Sequence, residues 1–342
     1  MVRRRRQRPA VLSLIGLGFV ALFLVWTGYN LVHSPATFFT IFLIGLQQGS
    51  VYALVALGYT LVYGILQLIN FAHGDVFALT RLFASSLITS HFHLDETSTA
   101  ITVIFGLLAV FLIAMAFGSI INATIEFVAY RRLRNAPRLA VLITAVGMSF
   151  IVQNISLVFF DVNFRSVPPL ISEGNVFTVG GVSLGWQTLF VVVVTIPVLV
   201  ILTWLVKNTR QGKAMRATAQ DPEASAMMGI NVNRTISFTF LLAGGLAGIG
   251  AVLFLVQFNV RYDTGFELGL IAFTAAVLGG IGNLSGAVLG AIIIGMIQAM
   301  NEGPFLWAPG SDWTRSIVFG ILIAILVFRP EGLLGERTPE GG

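Results

Sequence analysis

Residues 45–75 of the chain read GLQQGSVYALVALGYTLVYGILQLINFAHGD, and this stretch decides the fold class. Its first part belongs to an apolar run over residues 38–66. Roughly 20 apolar residues suffice for a helix that crosses the hydrocarbon core of a membrane. A short polar turn follows, ending in Asp75, and a second apolar run covers residues 76–90. This order of run, turn and run predicts two antiparallel membrane helices.

Apolar runs fill the rest of the chain as well. Hydrophobic residues make up 56% of the 342 residues and charged residues 10%, whereas a soluble domain carries about 25% charged residues. We therefore predict an all-α integral membrane protein, a polytopic bundle of about ten transmembrane segments, some of them broken or half-length. The segment 268–280 is too short to span unless it is tilted or a half-helix. The predicted segments cover residues 11–32, 38–66, 76–90, 100–129, 139–160, 188–206, 235–258, 268–280, 286–302 and 314–328.

The positive charges predict the orientation of these segments. Sixteen of the twenty Lys and Arg residues fall on one side of the alternating segments, and cytoplasmic loops are rich in these residues. An even number of segments then places both termini in the cytoplasm. The first run follows five arginines, as a secretory signal would, but it is long and lacks a clear cleavage site, so we interpret it as a retained helix. The expected domains are a basic cytoplasmic N-terminus (1–10), a transmembrane domain (11–328) and a cytoplasmic C-terminal tail (329–342).

Enzyme motifs are scarce. The chain has no Cys, which excludes disulfides, Cys-ligated metal sites and thiol catalysis. A nucleotide-binding P-loop and an H-E-x-x-H motif are both absent from the sequence. His91 and His93 beside Asp95 could bind a metal, but a solvated outer loop is the favoured interpretation. The net charge of +5 sits in short clusters between apolar runs, which is typical of a membrane protein. We expect no catalytic residues, no metal site and no nucleic-acid partner.

The long outer loop, residues 161–187, contains Gly180-Gly181 between alternating apolar residues. Such a pattern predicts a β-hairpin. The hairpin is interpreted either as a lid over the helix ends or as a dock for an external partner.

The long inner loop, residues 207–234, contains a strong signal for the start of a helix at Asp221-Pro222-Glu223. Asp is a favoured N-cap residue and Pro a favoured first helical residue, and Gly229 is placed to end the helix about two turns later. The apolar residues of this short helix, Met227 and Met228 among them, have no membrane to cover them in a cytoplasmic loop. They therefore need some other surface.

Polar residues interrupt the apolar runs at three places. The stretch Gln47-Gln48-Gly49-Ser50 and the glycine-rich residues 278–286 are expected to unwind helices, and irregular backbone at membrane depth needs protein or a wet cavity beside it. Such breaks indicate a translocation path. The third place, residues 70–75, is interpreted as a tight inner turn in which Asp75 caps the next helix, as part of the path, or as both. We hypothesise that the path is lined by Gln47, Gln48, Asn70, His73, Asp75 and Asn283.

Two further charged residues fall inside apolar segments. Arg81 lies six residues after Asp75, about 9 Å along a helix axis, so it is expected to pair with Asp75 or to extend towards the inner membrane interface. A substrate-binding role for Arg81 is a third, less favoured interpretation. Glu126 lies near the inner end of its segment, and Arg131 or Arg132 is its expected neighbour.

Four stretches of the chain resemble, in order, the bacterial branched-chain amino acid ABC permeases: residues 45–75, 138–149, 216–233 and 275–287. The tail, residues 328–335, resembles the C-terminus of the same family, so that the resemblance runs from about residue 38 to 335. It implies a permease subunit of the bacterial inner membrane that works by alternating access. Its implied partners are two cytoplasmic ATPase subunits, a second permease in a heterodimer and a periplasmic substrate-binding protein, within the lipid bilayer.

The resemblance also gives the inner-loop helix a role. In such permeases this helix docks in a cleft of the ATPase, and Glu223-Ala224-Ser225 followed by Gly229 matches the general coupling pattern of ABC importers, although the downstream I-x-L-P portion is absent. ATP is then used by partner subunits, and no cofactor is expected in this chain. The implied coupling residues are Arg216, Asp221, Pro222, Glu223, Ala224 and Gly229.

The sequence leaves two alternatives open. Related permeases handle urea, short amides and aromatic acids, and Arg81 stands where the family would have a small or apolar residue, so the transported solute is not decided. A stand-alone secondary transporter or channel would share the broken helices, but it has no need of a solitary capped helix in an inner loop.

Overall fold

The computed structural model describes residues 10–134, 136–172 and 174–335. The basic residues 1–9 and the tail residues 336–342 lie outside these ranges. Within them the chain is mainly helical, with one small two-stranded sheet. The helices are α1 Ala10–His33, α2 Pro35–Leu66, α3 Ala72–Ser86, α4 Ala100–Ile125, α5 Arg138–Phe160, α6 Trp186–Asn208, α7 Arg210–Gln220, α8 Pro222–Met227, α9 Val232–Leu255, α10 Thr264–Gly279, α11 Leu284–Glu302 and α12 Thr314–Phe328; the strands are β1 Asn175–Val179 and β2 Val182–Gly185.

Each of the ten apolar segments falls on one of these helices, and π-helical turns at Leu87–His91 and Glu126–Tyr130 prolong α3 and α4. Within the described ranges, seven helices are long and apolar enough to cross a membrane, while Thr264–Gly279 is shorter. The prediction of a polytopic all-α membrane protein is confirmed. The number of about ten spanning segments stays a prediction.

Helix α2 lies at the centre of the bundle and is buried from Gln47 to Val62. It is continuous, so the expected unwinding at Gln47-Gln48-Gly49-Ser50 is wrong. The glycine there serves close packing instead: a Cβ placed on Gly295 of α11 would lie 2.3 Å from the backbone nitrogen of Gly49. Small residues at helix interfaces let two backbones approach in this way, and the helical hydrogen bonds remain intact.

The second expected break, within residues 278–286, is confirmed. Helix α10 ends at Gly279 and α11 begins at Leu284, and the turn between them holds Gly280 and Gly282 at φ of 106° and 98°. Glycine adopts positive φ without the steric cost that other residues carry. The segment after α12 covers this turn, since the backbone N–H of Leu333 donates to the carbonyl of Leu278 at 2.8 Å.

The outer hairpin is also confirmed. Strands β1 and β2 are antiparallel, and Gly180 and Gly181 connect them at φ of 60° and 81°, as a two-residue turn requires. The hairpin rests on the first turns of α2, where the N–H of Ser183 donates to the hydroxyl of Thr40 at 3.3 Å. Both interpretations of the hairpin, as a lid and as a dock, are compatible with this contact.

Candidate coupling surface and translocation path

The short inner helix α8 forms from its own residues, as predicted. The Asp221 carboxylate accepts hydrogen bonds from the backbone N–H groups of Glu223 and Ala224, each at 2.9 Å, which satisfies two of the donors that a helix start leaves unpaired. Pro222 is the first helical residue. Gly229 follows the helix at φ of 83°, a conformation that favours glycine.

The solvent-facing side of α8 is not covered by other described residues. Met227 is 82% exposed and Met228 is 84% exposed, and Glu223 is exposed beside them. Two exposed, flexible methionines on a charged inner loop form an adaptable apolar surface of the kind that binds partner proteins. The structure thus brings five of the six expected coupling residues together, at 221–224 and 229.

Arg216, the sixth expected coupling residue, makes different contacts. Its guanidinium donates to the carbonyls of Val206 and Lys207 at the end of α6. Unpaired carbonyls at a helix C-terminus are favourable partners for a cation. Arg216 therefore fastens α7, which carries α8, to the end of α6.

Gln47 and Gln48, expected on the path, lie buried in α2 with exposures of 2% and 7%. The hydroxyl of Thr188, near the start of α6, donates to the side-chain carbonyl of Gln47. The Nε2 of Gln47 and the Oε1 of Gln48 have no hydrogen-bond partner among the described residues. Buried amide groups normally have partners, so these two free groups are available to a polar solute or to water.

A polar chain that the sequence analysis missed lies one helical turn further along α2. The hydroxyl of Tyr52 donates to Oε1 of Gln298 at 2.8 Å, and Nε2 of Gln298 donates to Glu302 at 3.0 Å. The only sequence signal was the polar spacing of Gln298 and Glu302 at i and i+4 on α11, which places them on one helix face.

Asn70, in the turn between α2 and α3, ties that turn to two other helices. It accepts a hydrogen bond from the hydroxyl of Tyr130 at 2.9 Å and donates to Asn122 at 3.3 Å, and Asn122 donates in turn to the carbonyl of Phe240 at 2.8 Å. All three side chains are buried. A fully bonded network of this kind fixes the packing of helices, so the contacts of Asn70 are with protein.

Asp75 does not cap α3, and that part of the interpretation is wrong. No side chain caps this helix start, and the buried carboxylate of Asp75 instead accepts a hydrogen bond from the hydroxyl of Ser149 on α5. His73 is buried on the same first turn, edge-on to Tyr59 with ring centroids 4.9 Å apart. His73 and Asp75 therefore lie in the interior, as the path hypothesis requires, although they belong to different packing contacts.

Asn283 lies apart from the other expected path residues, in the turn between α10 and α11. Its Oδ1 accepts from the N–H of Gly286 at 3.0 Å, which caps α11, and its Nδ2 donates to the carbonyl of Leu334 at 2.8 Å. Both ends of this side chain are thus engaged in holding the turn and the C-terminal segment together.

Arg81 contradicts the first two of its expectations. It is fully buried and forms no ion pair with Asp75 or with any other acid among the described residues. Its guanidinium donates to the carbonyls of Phe258 and Asn259 at 2.9 and 2.8 Å, beyond the C-terminal end of α9. By the charge-based topology this is the outer side, so Arg81 does not extend to the inner interface.

Glu126 has the neighbour that was expected and two more. Arg131 pairs with it at 3.1 Å, Arg134 pairs with its other oxygen, and the hydroxyl of Ser237 donates to it at 2.8 Å. Glu126 is fully buried, and a buried carboxylate needs this degree of compensation. Because Ser237 lies on α9, the cluster holds the inner end of α4 against the helix that follows α8.

Known permease proteins share sequence similarity with most of this chain. A family model described as "Branched-chain amino acid transport system / permease component" matches residues 41–327. The chain is 39% identical over 300 residues to the high-affinity branched-chain amino acid transport system permease protein BraD of Pseudomonas aeruginosa, covering 86% of this chain and 95% of that protein. It is 35% identical over 304 residues to LivH of Escherichia coli, a protein of the same description, with the same coverage.

One solved structure is also similar, that of PsaBC from Streptococcus pneumoniae in complex with Fab. The match has a TM-score of 0.40 at 15% identity and covers 90% of this chain and 97% of that chain. This likeness is too weak to inform the fold.

Proposed function

The chain belongs to the family of branched-chain amino acid transport system permease components, and on that premise we propose that it is the membrane-spanning subunit of an ABC importer for branched-chain amino acids. It is a multi-pass membrane protein and a transport component, not an enzyme. Its partners are ABC components, which include the ATPase subunits that supply the energy. Solute then crosses by alternating access of the helical bundle.

The observation that carries this proposal is the exposed face of α8. A helix of six residues gains little stability of its own, and this one leaves Met227 and Met228 uncovered. Burying each methionine would contribute about 1.5–3 kcal/mol, so a matching apolar cleft on a soluble partner is the favoured neighbour. An ATPase subunit is that partner, and Glu223 and Gly229 define the two ends of the contact.

Polar but uncharged side chains support a zwitterionic solute. The free amide groups of Gln47 and Gln48 are buried at the centre of the bundle, and amides donate and accept hydrogen bonds without attracting one sign of charge. We propose that they line the path, with His73 and Asp75 nearer the inner end. The same walls would also suit urea, a short amide or an aromatic acid, which stay as alternative solutes.

Three features of the assembly belong to the same proposal. The relatives are described as parts of transport systems, and by the family resemblance the chain pairs with a second, related permease and receives solute from a periplasmic binding protein. The membrane is the bacterial inner membrane. Both termini lie in the cytoplasm, because most Lys and Arg residues then fall on the cytoplasmic side.

A stand-alone carrier or channel is the rival from another class. Such a protein also uses broken helices, and the turn between α10 and α11 fits it equally well. The exposed methionines of α8 discriminate between the two, since a carrier that works alone has no partner to cover them.

The test of coupling is Glu223→Arg in the assembled transporter, reconstituted in proteoliposomes. We expect ATP-driven uptake of L-leucine to fall at least tenfold, while insertion and the elution volume of the purified chain stay unchanged because Glu223 is exposed. Glu96→Arg, the same reversal on an exposed outer loop, is the matched control and should transport normally. Uptake at the wild-type rate in Glu223→Arg would refute the docking role.

The test of the path is Gln47→Leu and Gln48→Leu. Each replacement removes a buried amide at constant size, so uptake should fall about three- to tenfold, the loss of one or two hydrogen bonds to solute. Asn154→Leu is the control, because Asn154 is exposed on α5 and only bonds its own helix, to the carbonyl of Phe150. Unchanged uptake in both glutamine variants would remove them from the path.

A further inference from the structure

A polar cavity of about 330 Å³ lies beyond the C-terminal end of α9. Its wall is formed by residues 255–259 on one side and by Val167 and Pro169 of the outer loop, with Gln187 in the first turn of α6, on the other. The wall is mainly polar, although five of its eight residues have apolar side chains, and it includes the side-chain amides of Gln187, Gln257 and Asn259. An antiparallel bridge between Arg165 and Val260 joins the two sides.

The groups in this wall have unused hydrogen-bonding capacity. Within the described part of the chain, the carbonyls of Leu255, Val256 and Gln257 accept no hydrogen bond. The side-chain amides of Gln187, Gln257 and Asn259 make none either. Each amide offers two donors and an acceptor, so the cavity presents both kinds of partner at close range.

Arg81 lies behind this wall. Its guanidinium holds the carbonyls of Phe258 and Asn259 and sits over the ring of Phe254, 4.4 Å from its centroid. A cation without an acidic partner is costly to bury, and here aromatic faces and carbonyl dipoles take the place of a carboxylate. Arg81 on α3 thereby adds a side-chain anchor to the end of the segment 255–259, whose N–H groups at Val256 and Phe258 also donate to carbonyls in the last turns of α9.

The charges around the cavity select a class of ligand. Free carbonyls at a helix C-terminus carry partial negative charge and favour an ammonium group. The fixed positive charge of Arg81 opposes a ligand that is only a cation, while the amide N–H groups of the wall can bind a carboxylate. A small zwitterion with adjacent ammonium and carboxylate groups satisfies all three conditions.

We propose that this outer cavity is a binding site for a zwitterionic α-amino acid on the permease itself, and that Arg81 is its positioning residue. The proposal rests on the proposed function for the identity of the solute. The next residue of α6 after Gln187 is Thr188, whose hydroxyl donates to Gln47 of the proposed path. Solute released at the outer surface would bind here before it reaches the buried amides of α2.

The experiment uses the absence of Cys from the chain. Val167→Cys places a single thiol in the cavity wall without removing an amide, and Glu96→Cys places one on the outer loop outside the cavity. The assembled transporter is labelled in spheroplasts with a membrane-impermeant sulfonated maleimide, with and without L-leucine. We expect saturating L-leucine to slow labelling of Val167→Cys at least threefold and to leave Glu96→Cys unaffected.

Two analogues test the ligand class. Leucinamide lacks the carboxylate and 4-methylpentanoate lacks the ammonium, and neither should protect the thiol at concentrations where L-leucine does. Equal protection by either analogue would overturn the zwitterion assignment. A thiol that never reacts, or one that reacts at the same rate with every additive, would overturn the site.

Arg81→Met and Gln187→Leu then test the two sides of the cavity. Both should keep the labelling of Val167→Cys but lose protection by L-leucine, whereas Arg81→Lys, which retains the charge, should keep part of it. Arg315→Met is the control, because Arg315 is exposed and pairs with Glu267. If Arg81→Met does not assemble, Gln187→Leu alone decides, and full protection in that variant contradicts the proposal.

The labelling experiment distinguishes failure of the binding site from failure of the proposed importer function. Labelling needs no ATP, so protection should persist in the Glu223→Arg background even where import is lost. Protection without ATP-driven uptake in the unmutated transporter would leave the site standing and overturn the importer. ATP-driven uptake without protection of the thiol would leave the importer standing and overturn the binding site.

Discussion

The inner helix α8 and the outer segment 255–259 are stabilised by different kinds of contact. Helix α8 is started by Asp221 and ended by Gly229, residues within its own loop. The outer segment is held in addition by Arg81, which lies 177 and 178 residues away from the two carbonyls that it contacts. One region is therefore a local unit presented to a partner, and the other is fixed to the core of the bundle.

The difference bears on how each region can act. A helix that is capped by residues of its own loop keeps its shape when it moves as a rigid body. A docking helix needs this property in a transporter that alternates between conformations. A segment clamped by a buried cation keeps its position relative to the bundle, which a binding site needs. Removal of one contact at a time tests this contrast.

The largest effect is expected for Arg81→Met. Two carbonyls lose their charged donor, and a charge-assisted hydrogen bond contributes about 1.5–3 kcal/mol, so the free energy of unfolding should fall by about 2 kcal/mol. Thermal unfolding of the purified chain measures this as a lower midpoint. Arg315→Met, which breaks an exposed pair, should change stability by less than about 1 kcal/mol. Equal midpoints for the two variants would show that Arg81 does not clamp the segment.

A smaller and strictly local effect is expected for Asp221→Ala. Loss of an N-cap costs about 1 kcal/mol, and because α8 packs against little else, the midpoint of global unfolding should not move. Amide hydrogen exchange should instead become faster in residues 222–229. Asp221→Ser, which retains an accepting oxygen, should restore most of the protection. A lower global midpoint in Asp221→Ala would mean that α8 is part of the core.

The most localised effect is expected for Gly229→Ala. A Cβ at this position meets no atom of the described residues within 4 Å, so the only cost is conformational, about 1–2 kcal/mol for an L-residue at φ of 83°. Exchange should accelerate at the end of α8 alone. Gly229→Asn should cost less than Gly229→Ala, because Asn tolerates the left-handed conformation. The reverse order would indicate that the position is not held at positive φ.

Features that depend on neighbours in sequence could be predicted from the sequence. The cap at Asp221, the turn at Gly180-Gly181 and the break after Gly279 each follow from the conformational preference of a few adjacent residues. The helical segments follow from unbroken apolar runs, because only a helix or a closed barrel satisfies the backbone within a membrane.

Contacts between distant residues could not be predicted in this way. The partner of Gln47 is Thr188, 141 residues away, and Asn283 meets the carbonyl of Leu334, 51 residues away. The glycine in Gln47-Gln48-Gly49-Ser50 suggested an unwound helix because its packing against Gly295 is invisible in one sequence. Arg81 was paired with Asp75 because that was the nearest acid along the chain, whereas in the fold carbonyls and aromatic rings hold it.

A cross-link from α8 tests directly whether this helix docks on an ATPase subunit. In the native Cys-less chain, Met228→Cys carries a photoactivatable cross-linker in native membranes, and the captured protein is identified by mass spectrometry, with Glu96→Cys as the outer-side control. The account predicts capture of an ABC ATPase subunit, recognised by its P-loop peptide, from Met228→Cys alone. Capture of no ATPase from Met228→Cys, with L-leucine uptake by the purified chain in the absence of ATP, would contradict it.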